Sequence, residues 1–206
     1  DLAQELGLSK SAVSNALNGV RGVSDETRER VKAFAEEKGW RPNALARALS
    51  RGKALAIGVC LARHPDLLAN EPFYQMVLAG MESVLVDTEY SLLLRMVGDQ
   101  PGRDLAVYED WAREARVDGV VLFDLRDADP RLPLLKQLGI PTLLAGKADS
   151  DLPQVFDEES PEADDVVAHL AGLGHHHVLH LTGPEHLLHV TNRIAQVARA
   201  CAERGL

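Results

Sequence analysis

The tightest constraint in this sequence lies in its first forty residues, where three short helical patterns are separated by glycine-ended turns. DLAQELG (1–7) stops at Gly7, Ser9 is placed to cap KSAVSNALN, and Gly19 ends it. Ser24 is placed to cap DETRERVKAFAEEKG, whose acids fall in the first turn and whose Gly39 follows the last. Two helices joined by the tight turn Gly7-Leu8-Ser9 and followed by a third make a helix-turn-helix, with Leu2, Leu6, Leu8, Val13 and Leu17 available for its small core. In the third pattern Val31, Phe34, Ala35 and Lys38 share a face, Lys38 through its alkyl stem.

Pro42-Asn43 interrupts the chain, and Asn43 can cap a short helix, ALARALS. From Leu55 the texture changes. AIGVCLA, YSLLLRMV, DGVVLFDL, IPTLLAG and HVLHLTG are short apolar runs that suit strands buried on both faces of a parallel sheet. Helical patterns alternate with them: FYQMVLAGMESVLVD, GRDLAVYEDWAREAR, LPLLKQLG, SPEADDVVAHLAGLG and, last, VTNRIAQVARACAERGL. Such alternation predicts a doubly wound α/β core, with ligands at the carboxyl ends of its strands. The expected class is a small all-α helix-turn-helix head plus that α/β core.

The net charge of −9 argues against indiscriminate binding to nucleic acid or anionic membranes, but it conceals an asymmetry. Residues 1–53 carry ten Lys/Arg and seven Asp/Glu, a net +3, while the remainder is −12. A basic head on an acidic body confines phosphate affinity to one end. Cys60 and Cys201 stand far apart and fit no ligand spacing, so both are expected as reduced, buried thiols. No stretch of eighteen apolar residues and no leader pattern occur, which makes the cytoplasm the expected compartment and a membrane no partner. With neither an initiating Met nor a cap before Asp1, the natural start is expected to lie upstream.

Helix-turn-helix geometry turns the second helix outward with Lys10, Ser11, Asn15 and Asn18, donors and acceptors of the reach needed for base edges and phosphates. GLSKSAVSNALNG, VSDETRERVKAFAEEKGWRPNALARAL and GKALAIGV together resemble the amino-terminal region of LacI/GalR-family transcriptional regulators. The similarity continues through EPFYQMVLAGME, RVDGVVLF, GIPTLLAG, HLAGLGHHHVLHLTGP and ACAERGL. It implies a core resembling type I periplasmic binding proteins. It also implies a homodimer on pseudo-palindromic operator DNA, acting as a repressor under a small-molecule effector such as a sugar or related metabolite. The implied domains are a head over 1–42, a hinge helix and linker over 43–53, an amino-terminal lobe over 54–160 and the start of a second lobe over 161–206. The resemblance further implies more strands than the chain supplies, so it is expected to be incomplete at its end as well.

Position by position, Lys10 and Ser11 match base-reading residues of that family, and Asn15 stands where Arg is frequent, which bears on the operator sequence read. Ser9, Ser14, Asn18 and Ser24 match positions that hold the sugar-phosphate backbone, although Ser9 and Ser24 are also ordinary helix caps. Asn43 to Ser50 resembles the hinge helix: Leu49 matches the minor-groove wedge and Ala46 the close approach of two hinges, while a plain polar linker is the alternative. A helix this short cannot hold in water alone, so its order would depend on DNA and partner, and anything separating two hinges would weaken operator binding.

In the core, Phe73 matches the effector-site entrance but could equally anchor its helix in the core. Asp124, ending the third strand, sits where polar ligand contacts are expected, and Arg193 matches an arginine that grips effector hydroxyls or carboxylates. Asp-Glu-Glu-Ser at 157–160 and Gln196-Val197 depart from the family pattern, which opens the pocket to something other than a typical sugar. The helix FYQMVLAGMESVLVD offers an apolar face for dimerisation or for covering the sheet.

Six further residues tempt a metal reading: His175, His176, His177, His180, His186 and His189. The first four enter a β-run without ligand spacing, so no metal and no cofactor are expected. Nucleophile elbow, P-loop and dinucleotide fingerprints are lacking, so no enzyme is expected. A solute-binding receptor of the same core fold is a competing reading, though it predicts a leader and no basic head. A metal-dependent enzyme built on the histidines is another.

Overall fold

The computed structural model describes residues 2–19, 21–40, 52–156 and 161–206, with Asn18 and Leu67 described by their backbones alone. The hinge residues Asn43, Ala46 and Leu49, and the 157–160 stretch, lie outside the described residues. The chain divides into two compact units, Asp1–Lys53 and Ala54–Leu206.

In the first unit α1 (Leu2–Leu6), α2 (Lys10–Asn18) and α3 (Asp25–Glu37) pack around Ala3, Val13, Ala16 and Val31, with Leu2, Leu6, Leu8, Leu17 and Val23 closing the edges. The turn between α1 and α2 is set by Gly7 at φ +66°, a left-handed conformation that glycine adopts without steric cost, and Leu8 N–H then returns to Ala3 O (3.0 Å). Ser9 caps α2 by accepting from Ala12 N–H (3.2 Å), and Ser24 caps α3 by accepting from Thr27 N–H (3.3 Å). Lys38 extends beyond its expected apolar role. Its Nζ reaches Glu5 of α1 (2.8 Å) and lies 5.2 Å from the Phe34 ring centroid.

The second unit holds β1 (Ala56–Leu61), α4 (Asp66–Asn70), α5 (Pro72–Leu85), β2 (Ser91–Met96), α6 (Arg103–Arg113), β3 (Gly119–Leu122), α7 (Arg131–Leu138), β4 (Thr142–Ala145), β5 (Gln154–Val155), α8 (Glu162–Gly172) and α9 (Leu188–Ala202). The five strands form one parallel sheet in the order β2-β1-β3-β4-β5. Strand alternation sorts side chains between two layers. Val59, Leu61, Val121 and Phe123 face α5 and its Tyr74, whereas Cys60, Val120 and Leu122 face Tyr108 and Trp111 of α6 and Leu135 of α7. Gly58 has no room for a side chain, since a Cβ there would lie 2.5 Å from the Trp111 ring.

Two expectations are corrected. HVLHLTG forms no strand, and Leu179 and Leu181 are each 86% exposed. A parallel strand exists only beside a neighbour that completes its backbone hydrogen bonds, and none of the described residues runs alongside this one. The fifth strand is instead Gln154–Val155, two residues too short to leave a periodic signal. Neither cysteine is disulfide-bonded; Cys60 is buried, which pushes its thiol up to about 12, while Cys201 is half-buried.

Candidate functional site

On the first unit, α2 presents Lys10, Ser11 and Ser14 to solvent. Ser11 and the capping Ser9 share a hydroxyl–hydroxyl hydrogen bond (3.0 Å), as do Ser24 and Thr27 (2.8 Å). The capping role of Ser9 and Ser24 is therefore occupied already, but a hydroxyl that accepts from the backbone keeps its own proton to donate. Asn15 is half-buried, its Nδ2 lying 3.8 Å from where a Cβ on Gly22 would stand. The caps fix the direction of α2, and the small core beneath it fixes which polar side chains look outward.

On the second unit a cleft of about 440 Å³ opens where β1, β2 and β3 end. Its charged and polar wall comprises Arg63, Asp99, Gln100, Asp104, Asp124, Arg126 and His186, and its apolar wall Ala62, Pro101, Pro184 and Leu187. Asp124, the one expected residue on that wall, leaves β3 at φ +52°. Its Oδ2 accepts from Arg63 Nε (2.8 Å) and its Oδ1 from the Tyr74 hydroxyl (2.8 Å). Burial works against the carboxylate, but these two donors outweigh it and hold Asp124 below the ordinary carboxylate range. Burial and the adjacent carboxylate together push the Tyr74 phenol well up.

A second ionic group stands behind the first. Arg126 donates to Asp104 Oδ2 (2.7 Å), and the fully buried Arg131 forks onto Asp129 (2.9 and 2.6 Å) while donating to the carbonyls of Phe123 (3.0 Å) and Asp124 (2.7 Å). This guanidinium pins the loop after β3, and with it the left-handed turn that aims Asp124 into the cleft. The start of α9 docks on the same loop: Leu188 N–H donates to Leu125 O (2.8 Å), and Arg126 pairs with Leu187 in an antiparallel bridge.

Phe73 stands 58% exposed at the start of α5, edge-to-face on Tyr74 (5.2 Å, 79°), so it is Tyr74 that anchors the helix. Arg193 lies on the exposed side of α9, one turn beyond His189. His189 stands exposed near the start of α9, and what desolvation it feels there lowers its pKa; Asp124 opposes that shift, and Arg193 and Arg63 add to it. Among the described residues no group of three or more His, Cys, Asp or Glu could hold a metal ion, and no helix is long and apolar enough to cross a membrane.

Residues 1–43 match the family described as bacterial regulatory proteins, lacI family. Residues 54–206 match the periplasmic binding proteins and sugar binding domain of the LacI family. The chain belongs to the LacI family. The HTH-type transcriptional regulator AglR of Rhizobium meliloti (strain 1021) is 35% identical over 208 residues, covering 100% of this chain and 58% of AglR. Catabolite control protein A of Priestia megaterium is 27% identical over 209 residues, 100% of this chain and 61% of that protein. The chain thus spans about three fifths of the length of these relatives. The Lac repressor dimer bound to operator and the anti-inducer ONPF has the same fold, with a TM-score of 0.77 at 24% identity over 100% of this chain and 62% of that one.

The position of Asp124 at the end of the third strand pointed to it, but not to the groups that surround it. Arg63, Tyr74, Asp104, Arg126 and His189 come from five different segments, and the Arg63–Asp124 bond spans sixty-one positions. One signal was present: three of these residues follow or open an element at the carboxyl edge of the sheet, where clefts form.

Proposed function

We propose that this chain is the DNA-binding and sensing portion of a cytoplasmic, homodimeric transcriptional repressor that is not an enzyme. The observation that carries this reading is a helix-turn-helix with Lys10, Ser11 and Ser14 exposed on its second helix, within residues that match the LacI regulatory family. Lys10, Ser11 and Asn15 read bases, while Ser9, Ser14, Asn18 and Ser24 hold the sugar-phosphate backbone. Asn43, Ala46 and Leu49 form a hinge helix in the minor groove. Its support is the resemblance of Asn43 to Ser50 to the hinge segment of that family, read from the sequence.

A small-molecule effector binds at the cleft, contacting Asp124, with Phe73 and Arg193 at its approaches. Support comes from the convergence of polar groups at the strand ends and from the sugar-binding family that residues 54–206 match. Residues 161–206 then begin a second lobe. Met76 and Val84 on the exposed side of α5 pair with the same face of a second copy.

Selection from a random DNA pool tests the whole reading. A palindrome with a flexible pyrimidine–purine centre is the expected product, and no enrichment would sink it. Leu49→Ala should weaken binding to the selected site while leaving random DNA almost untouched; equal loss on both would remove the hinge assignment.

A further inference from the structure

The second unit begins at Ala54, four positions after residues 43–50, and a carboxylate meets the chain there. Asp118 Oδ1 accepts from Ala54 N–H and its Oδ2 from Leu55 N–H, both at 2.8 Å. One side chain thus takes two consecutive backbone donors, in charge-assisted bonds that are stronger than neutral ones. Leu55 sits at φ +54°, a left-handed conformation that a bulky side chain keeps only where its surroundings hold it. Those surroundings are close: Ser91 N–H donates to Leu55 O and Asp118 N–H to Ala56 O, each at 2.9 Å. Asp118 is itself fixed in place. It directly precedes β3, which is paired with β1 on one side and β4 on the other. The next residue, Gly119, lies so near Pro141 that a Cβ there would stand 3.1 Å from the Pro141 carbonyl oxygen. Ala54 and Leu55 are only half-buried, so water could satisfy their N–H groups; what the acid adds is a fixed backbone direction.

We propose that Asp118 is a positioning residue for operator binding, clamping the backbone at the root of the hinge segment so that it leaves the core unit from a set point. This rests on the hinge reading of residues 43–50. An operator of two half-sites needs two hinges at one spacing, and freedom left at either root adds to the ordering cost of the specific complex. Binding to random DNA through the cations of the head sets no such requirement. Loss of the clamp therefore weakens the operator complex alone.

Asp118→Asn in the 206-residue chain is the test, because it keeps the shape of the side chain but turns an NH2 toward one of the two N–H groups. Amide exchange at Ala54 and Leu55 should quicken at least about tenfold, while the urea midpoint of the core unit stays in place. By fluorescence anisotropy, affinity for the site selected from the random pool should fall about tenfold, and affinity for random DNA by no more than about twofold. Charge alone works the other way, since one acid fewer tightens binding to every DNA. Glu109→Gln, on the exposed side of α6, gives the size of that effect. Unchanged operator affinity in Asp118→Asn, where Leu49→Ala loses it, overturns the clamp and leaves the hinge standing. Equal loss on operator and random DNA, or an operator loss matched by a lower core midpoint, makes Asp118 a structural residue and overturns it too. If Leu49→Ala loses both DNAs equally, the hinge reading fails and this role with it.

Discussion

The two units place their polar groups by opposite means. In the head, Lys10, Ser11 and Ser14 lie on one nine-residue helix, exposed, and their direction follows from local caps and a core of four small residues. In the core unit, Asp124, Arg63, Tyr74, Asp104, Arg126 and Arg131 come from four separate stretches of the chain and are held by one another in and behind the cleft. A surface presented by a helix tolerates change residue by residue. A cleft built from buried charges does not, because each charge left without its partner is penalised by burial.

That contrast can be broken by substitution, beginning where the effect is largest. Asp129→Ala strands the fully buried Arg131 and should destabilise the core unit by about 3–5 kcal/mol in urea unfolding, with the head transition unmoved. A loss under about 1 kcal/mol would mean that the loop after β3 does not depend on this pair. Val31→Ala removes the largest fully buried side chain of the head and should cost about 2 kcal/mol there alone. Joint melting of both units in this variant would show that they do not unfold separately.

Ser24→Ala removes one cap and should lower head stability by about 1 kcal/mol, read by helical circular dichroism of the head transition. Acid sharpens the contrast further. The folded pKa of Asp124 lies below its unfolded value, so its contribution is present above about pH 4 and is lost as pH falls through the folded pKa. The stability advantage of the parent protein over Asp124→Asn should therefore shrink below about pH 4; a constant difference would place the effect elsewhere. Lys10→Ala is the smallest in stability, within about 0.5 kcal/mol, while its loss of DNA affinity is measurable by fluorescence anisotropy. An equally stable variant with unchanged affinity would remove Lys10 from the reading face.

Much of the head was legible in advance, because its determinants are local. Gly7, Ser9, Gly19 and Ser24 each act on a neighbour within a few positions, so turns and caps can be read directly along the chain. The strands β1 and β3 were legible as apolar runs buried on both faces, but which layer takes Val59 and Leu61 and which takes Cys60 follows from what packs on each side. The segment around Leu179 and Leu181 marks where that logic stops: an apolar run becomes a strand only beside another strand.

The sequence by itself therefore determined the helix-turn-helix, the alternation of strands and helices, the sheet edge at which a cleft would open and the segregation of basic from acidic charge. Only the tertiary structure decided which charges face one another there. Arg63 is unremarkable in the sequence and becomes decisive once β1 and β3 lie side by side and Tyr74 comes up from α5. Caps and periodicity act over a few residues, whereas the charge of a cleft depends on pairings between residues that the chain keeps twenty to sixty positions apart.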